Sequence, residues 1–147
     1  MTVLRMEHLG IVVEDLGAAK DFFLALGLEL QGEMSLDNRL VDRIVGLEGV
    51  SNDVAMMQTP DGHGKLELIQ FHSPSHEGEA QLEPANAPGL RHLLFAVDDI
   101  EAAVAALKPH GGELLGEVVN YQDSYLLCYL RGPAGIIVEL AEKVSRS

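Results

Sequence analysis

Residues 6–33, MEHLGIVVEDLGAAKDFFLALGLELQGE, and residues 90–117, LRHLLFAVDDIEAAVAALKPHGGELLGE, are one segment written twice. Laid together without a gap, 11 of 28 positions are identical, against roughly one in fifteen for unrelated segments of average composition. An internal repeat sets an architecture before any single element is assigned. One duplicated residue is a histidine, His8 and His92. A metal-binding side chain repeated at one structural position points to a site near the axis relating the two copies.

Working outward, each copy opens on a strand and continues into a helix. Residues 3–13 and 91–97 are rich in Val, Ile, Leu and Phe and read as strands. Asp15 and Asp99 then offer N-caps. Leu16, Ala19, Phe22, Phe23 and Leu26 recur at helical spacing before a stop at Gly27; Ile100, Ala103 and Leu107 do so before the stop at 109–112. Module one goes on with strands over 28–33, 54–58 and 64–71, and module two with strands over 113–119, 125–130 and 136–141. Pro60, Asp61 and Gly62 form a turn echoed by Pro133, Ala134 and Gly135. The expectation is an α+β fold of two tandem βαβββ modules: module one over 1–71, a linker over 72–88 rich in Pro and Glu, and module two over 89–143.

The matched modules have matched polar exceptions. Each carries one histidine in its first strand, His8 and His92, and one glutamate in its last, Glu67 and Glu139, all among apolar neighbours. A buried carboxylate without a cationic partner is costly, and no Lys or Arg recurs at matching places. A divalent metal held by His8, Glu67, His92 and Glu139 would satisfy all four. The other histidines read as solvated: His63 in a turn, His72 and His76 in the linker, His110 at a helix end.

Composition bounds the function. The 147 residues, 47% of them apolar, suffice for a real core, and the net charge of −13 opposes binding to nucleic acid or to an anionic membrane. Arg5, Glu7 and His8 interrupt the apolar run a secretion signal needs, and no run approaches the ~20 residues of a membrane span. The lone cysteine, Cys128, excludes an intrachain disulfide, suits a reducing cytoplasm and reads as a small buried residue.

The openings MEHLGIVVEDLGAAKDFF and GLRHLLFAVDDIEAAVAAL resemble those of the vicinal oxygen chelate superfamily. That group includes glyoxalase I, methylmalonyl-CoA epimerase, extradiol dioxygenases and resistance proteins for fosfomycin and bleomycin. The resemblance covers about residues 6–141. It implies a half-open barrel of paired βαβββ modules around one divalent ion (Ni, Zn, Co, Mn or Fe), with His8, Glu67, His92 and Glu139 as ligands. A fourth ligand at Glu67 resembles the lyases and isomerases more than the dioxygenases, which use two histidines and one carboxylate. By that resemblance the ion stabilises the enediolate formed when a proton leaves the carbon beside a carbonyl. Glu139 is the first base and Glu67 the second. A homodimer acting on a small molecule is also implied.

Three alternatives stand beside this lyase or isomerase reading: an acyl-CoA epimerase, an extradiol-type dioxygenase, and a non-catalytic small-molecule or drug-binding protein. GLRHLLFAVDDI is close to the epimerase stretch. Val12 and Phe71 stand where bacterial lactoylglutathione lyases carry the Arg and Asn that help hold glutathione.

The modules differ in length. His8 to Glu67 spans 59 positions and His92 to Glu139 spans 47, so module one carries 12 more, within 34–53. There SLDNRLVDRIVGLEG reads as a short helix with an apolar stripe of Leu36, Leu40, Ile44 and Leu47, suited to a lid. Arg39 and Arg43, one turn apart, read either as a clamp for a substrate carboxylate or phosphate, or as a solvated face balanced by Asp37 and Asp42. Met56 and Met57 read as core or as pocket lining. Tyr121, Tyr125 and Tyr129, spaced by four, share one face if they lie on strands, and read either as a row toward the barrel mouth or as ordinary packing with hydroxyls at the edge.

Overall fold

The computed structural model describes residues 1–144. Its contacts gather into two compact units, Met1–Gly78 and a second beginning at Glu79. In the first, β1 (Leu9–Val12) leads into α1 (Leu16–Leu26), then β2 (Glu29–Leu36), α2 (Arg39–Val45), β3 (Ser51–Gln58) and β4 (Lys65–Ser73). The sheet order is β1-β4-β3-β2, with β1 parallel to β4 and the other pairs antiparallel. In the second unit, β5 (His92–Ala96) leads into α3 (Ile100–Leu107), β6 (Glu113–Leu114), β7 (Val119–Tyr121), β8 (Tyr125–Arg131) and β9 (Ile137–Lys143). Its order is β5-β9-β8-β6, with β7 also on β8 and β5 parallel to β9. The expected α+β class and the βαβββ repeat are both present. Among the described residues no helix is long and apolar enough to cross a membrane.

Local chemistry at the helix ends is duplicated. The Asp15 carboxylate accepts from the Ala18 N–H and the Asp99 carboxylate from the Ala102 N–H, each at 3.0 Å. Both satisfy amides that the first helical turn leaves without a partner. Gly27 and Gly111, with φ of 113° and 87°, close the following turns in the left-handed region. A further pair ties each helix start to its sheet. The Leu16 N–H donates to Gln70 Oε1 at 2.9 Å, and the Ile100 N–H donates to Glu142 Oε1 at 2.8 Å. Replacing Asp15 or Asp99 by Ala should each lower stability by about 1 kcal/mol, read as a shift in the urea midpoint with the slope unchanged.

The core follows strand alternation. Ile11, Ala55, Met57, Leu66 and Leu68 are buried in the first sheet, with Ala19, Phe22 and Phe23 of α1, which packs against β2, β3 and β4. Phe22 and Phe23 meet edge-on, with ring centroids 5.1 Å apart. In the second unit Ile100 and Leu107 of α3 are buried, as are Leu130, Val138 and Leu140. Leu107 is the repeat counterpart of Phe23. It sits so close to Gly112 that a Cβ there would lie 2.8 Å from the Leu107 Cβ.

Two expectations are corrected. The first strand is shorter than residues 3–13: it starts at Leu9, because its partner β4 starts at Lys65 and, among the described residues, no strand is paired with the chain upstream. Val3, Leu4 and Met6 are accordingly exposed. The strand expected over 113–119 is split. Glu113 opposes Arg131 but Val119 opposes Leu127, so the register slips by two residues around Gly116. The short helix expected in the insertion is present as α2, and its apolar stripe is exposed: Leu40 is 64% and Ile44 81% exposed. That helix is held by polar ends instead. Asn38 accepts from the Leu40 and Val41 amides, Gly46 closes the turn, and Asp42 accepts from the Gly49 and Val50 amides at 3.0 and 2.8 Å.

Candidate metal centre

In each unit a histidine and a glutamate meet across the parallel strand pair. Gly10 stands opposite Glu67, and Leu94 opposite Glu139. Residues two apart on a strand share a face, so His8 and His92, each two positions earlier, lie on the face of their glutamates. His8, expected in a strand, stands just before β1 and still reaches. His8 Nε2 is 3.6 Å from Glu67 Oε2, and His92 Nε2 is 3.3 Å from Glu139 Oε1. The glutamates are half-buried, Glu139 the deeper at 16% side-chain exposure against 30% for Glu67. Their flanking residues Leu66, Leu68, Val138 and Leu140 turn the other way into the core. Strand alternation thus aims each carboxylate away from the apolar layer.

The donor chemistry fits a divalent transition metal. Imidazole nitrogen and carboxylate oxygen are common ligands for such ions. Two donors each about 2.1 Å from one ion, at right or tetrahedral angles, stand roughly 3.0–3.4 Å apart. The 3.3 Å of the His92–Glu139 couple falls within that bite, and the 3.6 Å of the His8–Glu67 couple is slightly wider. Within each unit, among the described residues, the couple has no third His, Cys, Asp or Glu gathered with it.

Sequence reading missed one member of this face. Tyr129 stands directly opposite Glu139 on β8 and β9. Its hydroxyl is 3.4 Å from His92 Nδ1, and the two rings lie 5.1 Å apart. Tyr129 is therefore more than ordinary packing. Tyr121, Tyr125 and Tyr129 do share a face, but Tyr121 belongs to β7 and opposes Tyr125 across a hairpin. At the matching place in the first unit, Met56 opposes Glu67, while Met57 is core. The spacing of four was a visible signal for the face; only the register shows what Tyr129 faces.

His72 is exposed, as expected, but it lies near the end of β4, with Nε2 2.8 Å from Asp53 Oδ2. The Ser35 hydroxyl donates to Asp53 Oδ1 at 2.5 Å. The Ser35 hydrogen bond, and after it the one from His72, hold the Asp53 carboxyl below its ordinary range. A carboxyl with a lower pKa folded than unfolded stabilises the fold above its unfolded pKa, and that share disappears as pH falls through the folded value. Thermal melts of wild type and Asp53→Asn should therefore differ at neutral pH and converge below the carboxylate range. His63, His76 and His110 are exposed, as expected.

Arg39 and Arg43 are exposed on α2 and, among the described residues, neither forms an ion pair. The expected balance by Asp42 does not form, because both Asp42 oxygens accept from backbone amides. Cys128 is buried, and desolvation pushes its thiol pKa up, consistent with a small core residue.

The model of the Glyoxalase/Bleomycin resistance protein/Dioxygenase superfamily matches residues 5–140. The crystal structure of a glyoxalase family protein from Bacillus cereus superposes with a TM-score of 0.93 at 42% identity, covering 99% of this chain and 97% of that one. The uncharacterized protein YaeR of Escherichia coli is 31% identical over 95% of this chain and 96% of its own length. The uncharacterized protein YwbC of Bacillus subtilis is 26% identical over 95% and 98%. With the same fold over nearly its whole length and a family match across both modules, the chain belongs to the Glyoxalase/Bleomycin resistance protein/Dioxygenase superfamily, as its two openings suggest.

Proposed function

We propose that this protein is a metal-dependent lyase or isomerase of glyoxalase I type, using His8, Glu67, His92 and Glu139 on one divalent ion. The observation that carries this reading is the His–Glu couple built twice, at the same strand register and with nearly the same separation. Such an ion (Ni, Zn, Co, Mn or Fe) would supply Lewis acidity toward two adjacent oxygens of a small substrate. The chain supplies the proton chemistry. Glu139 takes a proton from the carbon beside a carbonyl and returns it to the neighbouring carbon, so the reaction consumes no oxidant. Glu67, the more exposed carboxylate, is the second candidate for that transfer. Arg39 and Arg43, exposed and without carboxylate partners among the described residues, are the proposed anchors for an anionic substituent. The reading includes a homodimer, in keeping with the family resemblance, and a cytoplasmic location that suits the single buried thiol.

The test is elemental analysis of protein purified without a metal-binding tag, followed by three assays: methylglyoxal–thiol adducts, acyl-CoA thioesters in deuterated water, and catechols with an oxygen electrode. A single divalent ion per chain and turnover of the thiol adduct are expected. Solvent exchange beside a thioester would favour the epimerase, and oxygen uptake would favour the dioxygenase. Protein that takes up no ion at neutral pH would remove the enzyme reading altogether.

A further inference from the structure

The two His–Glu couples are not equivalent, and the difference lies at one register position. Across from Glu139 the second unit has Tyr129; across from Glu67 the first has Met56. Tyr129 reaches His92 Nδ1 at 3.4 Å with its ring alongside the imidazole, so His92 has a partner on each nitrogen: Glu139 at Nε2 and Tyr129 at Nδ1. Among the described residues, His8 Nδ1 has no hydrogen-bond partner. The thioether of Met56 is at best a weak acceptor and cannot donate.

We propose that Tyr129 is a positioning residue that fixes the ring of His92 and keeps Nε2 available as a ligand. This inference rests on the reading of His92 as a metal ligand. Its chemistry lies in the phenol, which both donates and accepts. With the ring proton on Nε2, the nitrogen that faces Glu139, Nδ1 is an acceptor and the phenol donates to it. When Nε2 offers its lone pair to a cation, the ring proton sits on Nδ1 and the phenol oxygen accepts it. One hydroxyl therefore holds the imidazole in both tautomers; a carboxylate or a backbone carbonyl could serve only the second. Partners on the far nitrogen of a ligating imidazole fix its orientation and tautomer, and their loss costs roughly 10–100-fold in metal affinity. The couple of the second unit is thus the organised half, and the bare His8 couple the adjustable one.

Tyr129→Phe tests this, because it removes the hydroxyl and keeps the ring beside His92. Zn and Co affinities would be measured by chelator competition, and the Co(II) visible spectrum recorded for each protein. Tyr129→Phe should bind about tenfold or more weakly, with an altered Co(II) spectrum and an unchanged thermal midpoint of the metal-free protein. Tyr125→Phe, on the same face but farther along β8, should match wild type. If Tyr129→Phe binds Co and Zn as tightly as wild type with the same spectrum, the positioning role is wrong while the metal reading stands. A raised KM with unchanged metal affinity would also overturn it, by making Tyr129 a substrate contact. If wild type itself binds no ion, the metal reading fails first, and that result is separately visible.

Discussion

Glu139→Gln should lower turnover by about 10²–10⁴-fold with the fold intact, the range by which a positioned general base accelerates proton transfer. The substitution is nearly isosteric, and the backbone at this position is fixed by its neighbours: Val138 and Leu140 are fully buried. Gln keeps an oxygen on the His92 face but cannot take up a proton. Metal content measured on the same preparation separates two causes. Loss of turnover with the ion retained marks Glu139 as the base; loss of both marks it chiefly as a ligand. Glu67→Gln, at the longer and more exposed couple, should lose less. Turnover equal to wild type in Glu139→Gln would remove this residue from the mechanism.

The second large effect concerns stability. Phe23→Ala should cost about 3–5 kcal/mol, the range for emptying a buried aromatic site. Phe23 is 0% exposed and forms an edge-on pair with Phe22, itself 1% exposed. Removing the ring leaves the underside of α1 facing a void against β3 and β4, which Ala19 is too small to fill. A unit of this size should melt roughly 12–40 °C lower, at about 4–8 °C per kcal/mol. Circular dichroism melts would show this, with Leu24→Ala as control on the same helix. Leu24 is 45% exposed, and its loss should move the midpoint by only a few degrees at most. A Phe23→Ala midpoint no lower than that of Leu24→Ala would mean the pair is not the keystone of that core.

What was legible in the sequence was what is local or written twice. Asp15, Asp99 and Gly27 announce helix ends by chemistry confined to a few residues, and the structure has them there. His8, Glu67, His92 and Glu139 stood out because the duplication repeats them, and each pair does meet within its unit. What depended on strand pairing was hidden. Gln70 and Glu142 look like unremarkable polar residues until the fold brings each under a helix start. Tyr129 gains its meaning only from standing across from Glu139, and His72 from reaching Asp53 on the adjacent strand. The split of β6 from β7 likewise reflects a partner, β8, that no local window contains. The stripe on α2 shows the same limit: periodicity tells which residues share a side, not whether anything lies against that side.

Gly112 carries a lesson about ancestry. Its counterpart in the first half is Leu28, which is buried and donates its backbone N–H to Phe23 much as Gly112 does to Leu107. The hydrogen bond has survived from the common forebear, but the room beside it has not: a side chain at 112 would strike the β-carbon of Leu107. The halves have diverged in steric fit while keeping their wiring, so a tandem rebuilt from two identical copies could not simply borrow residues from one half for the other.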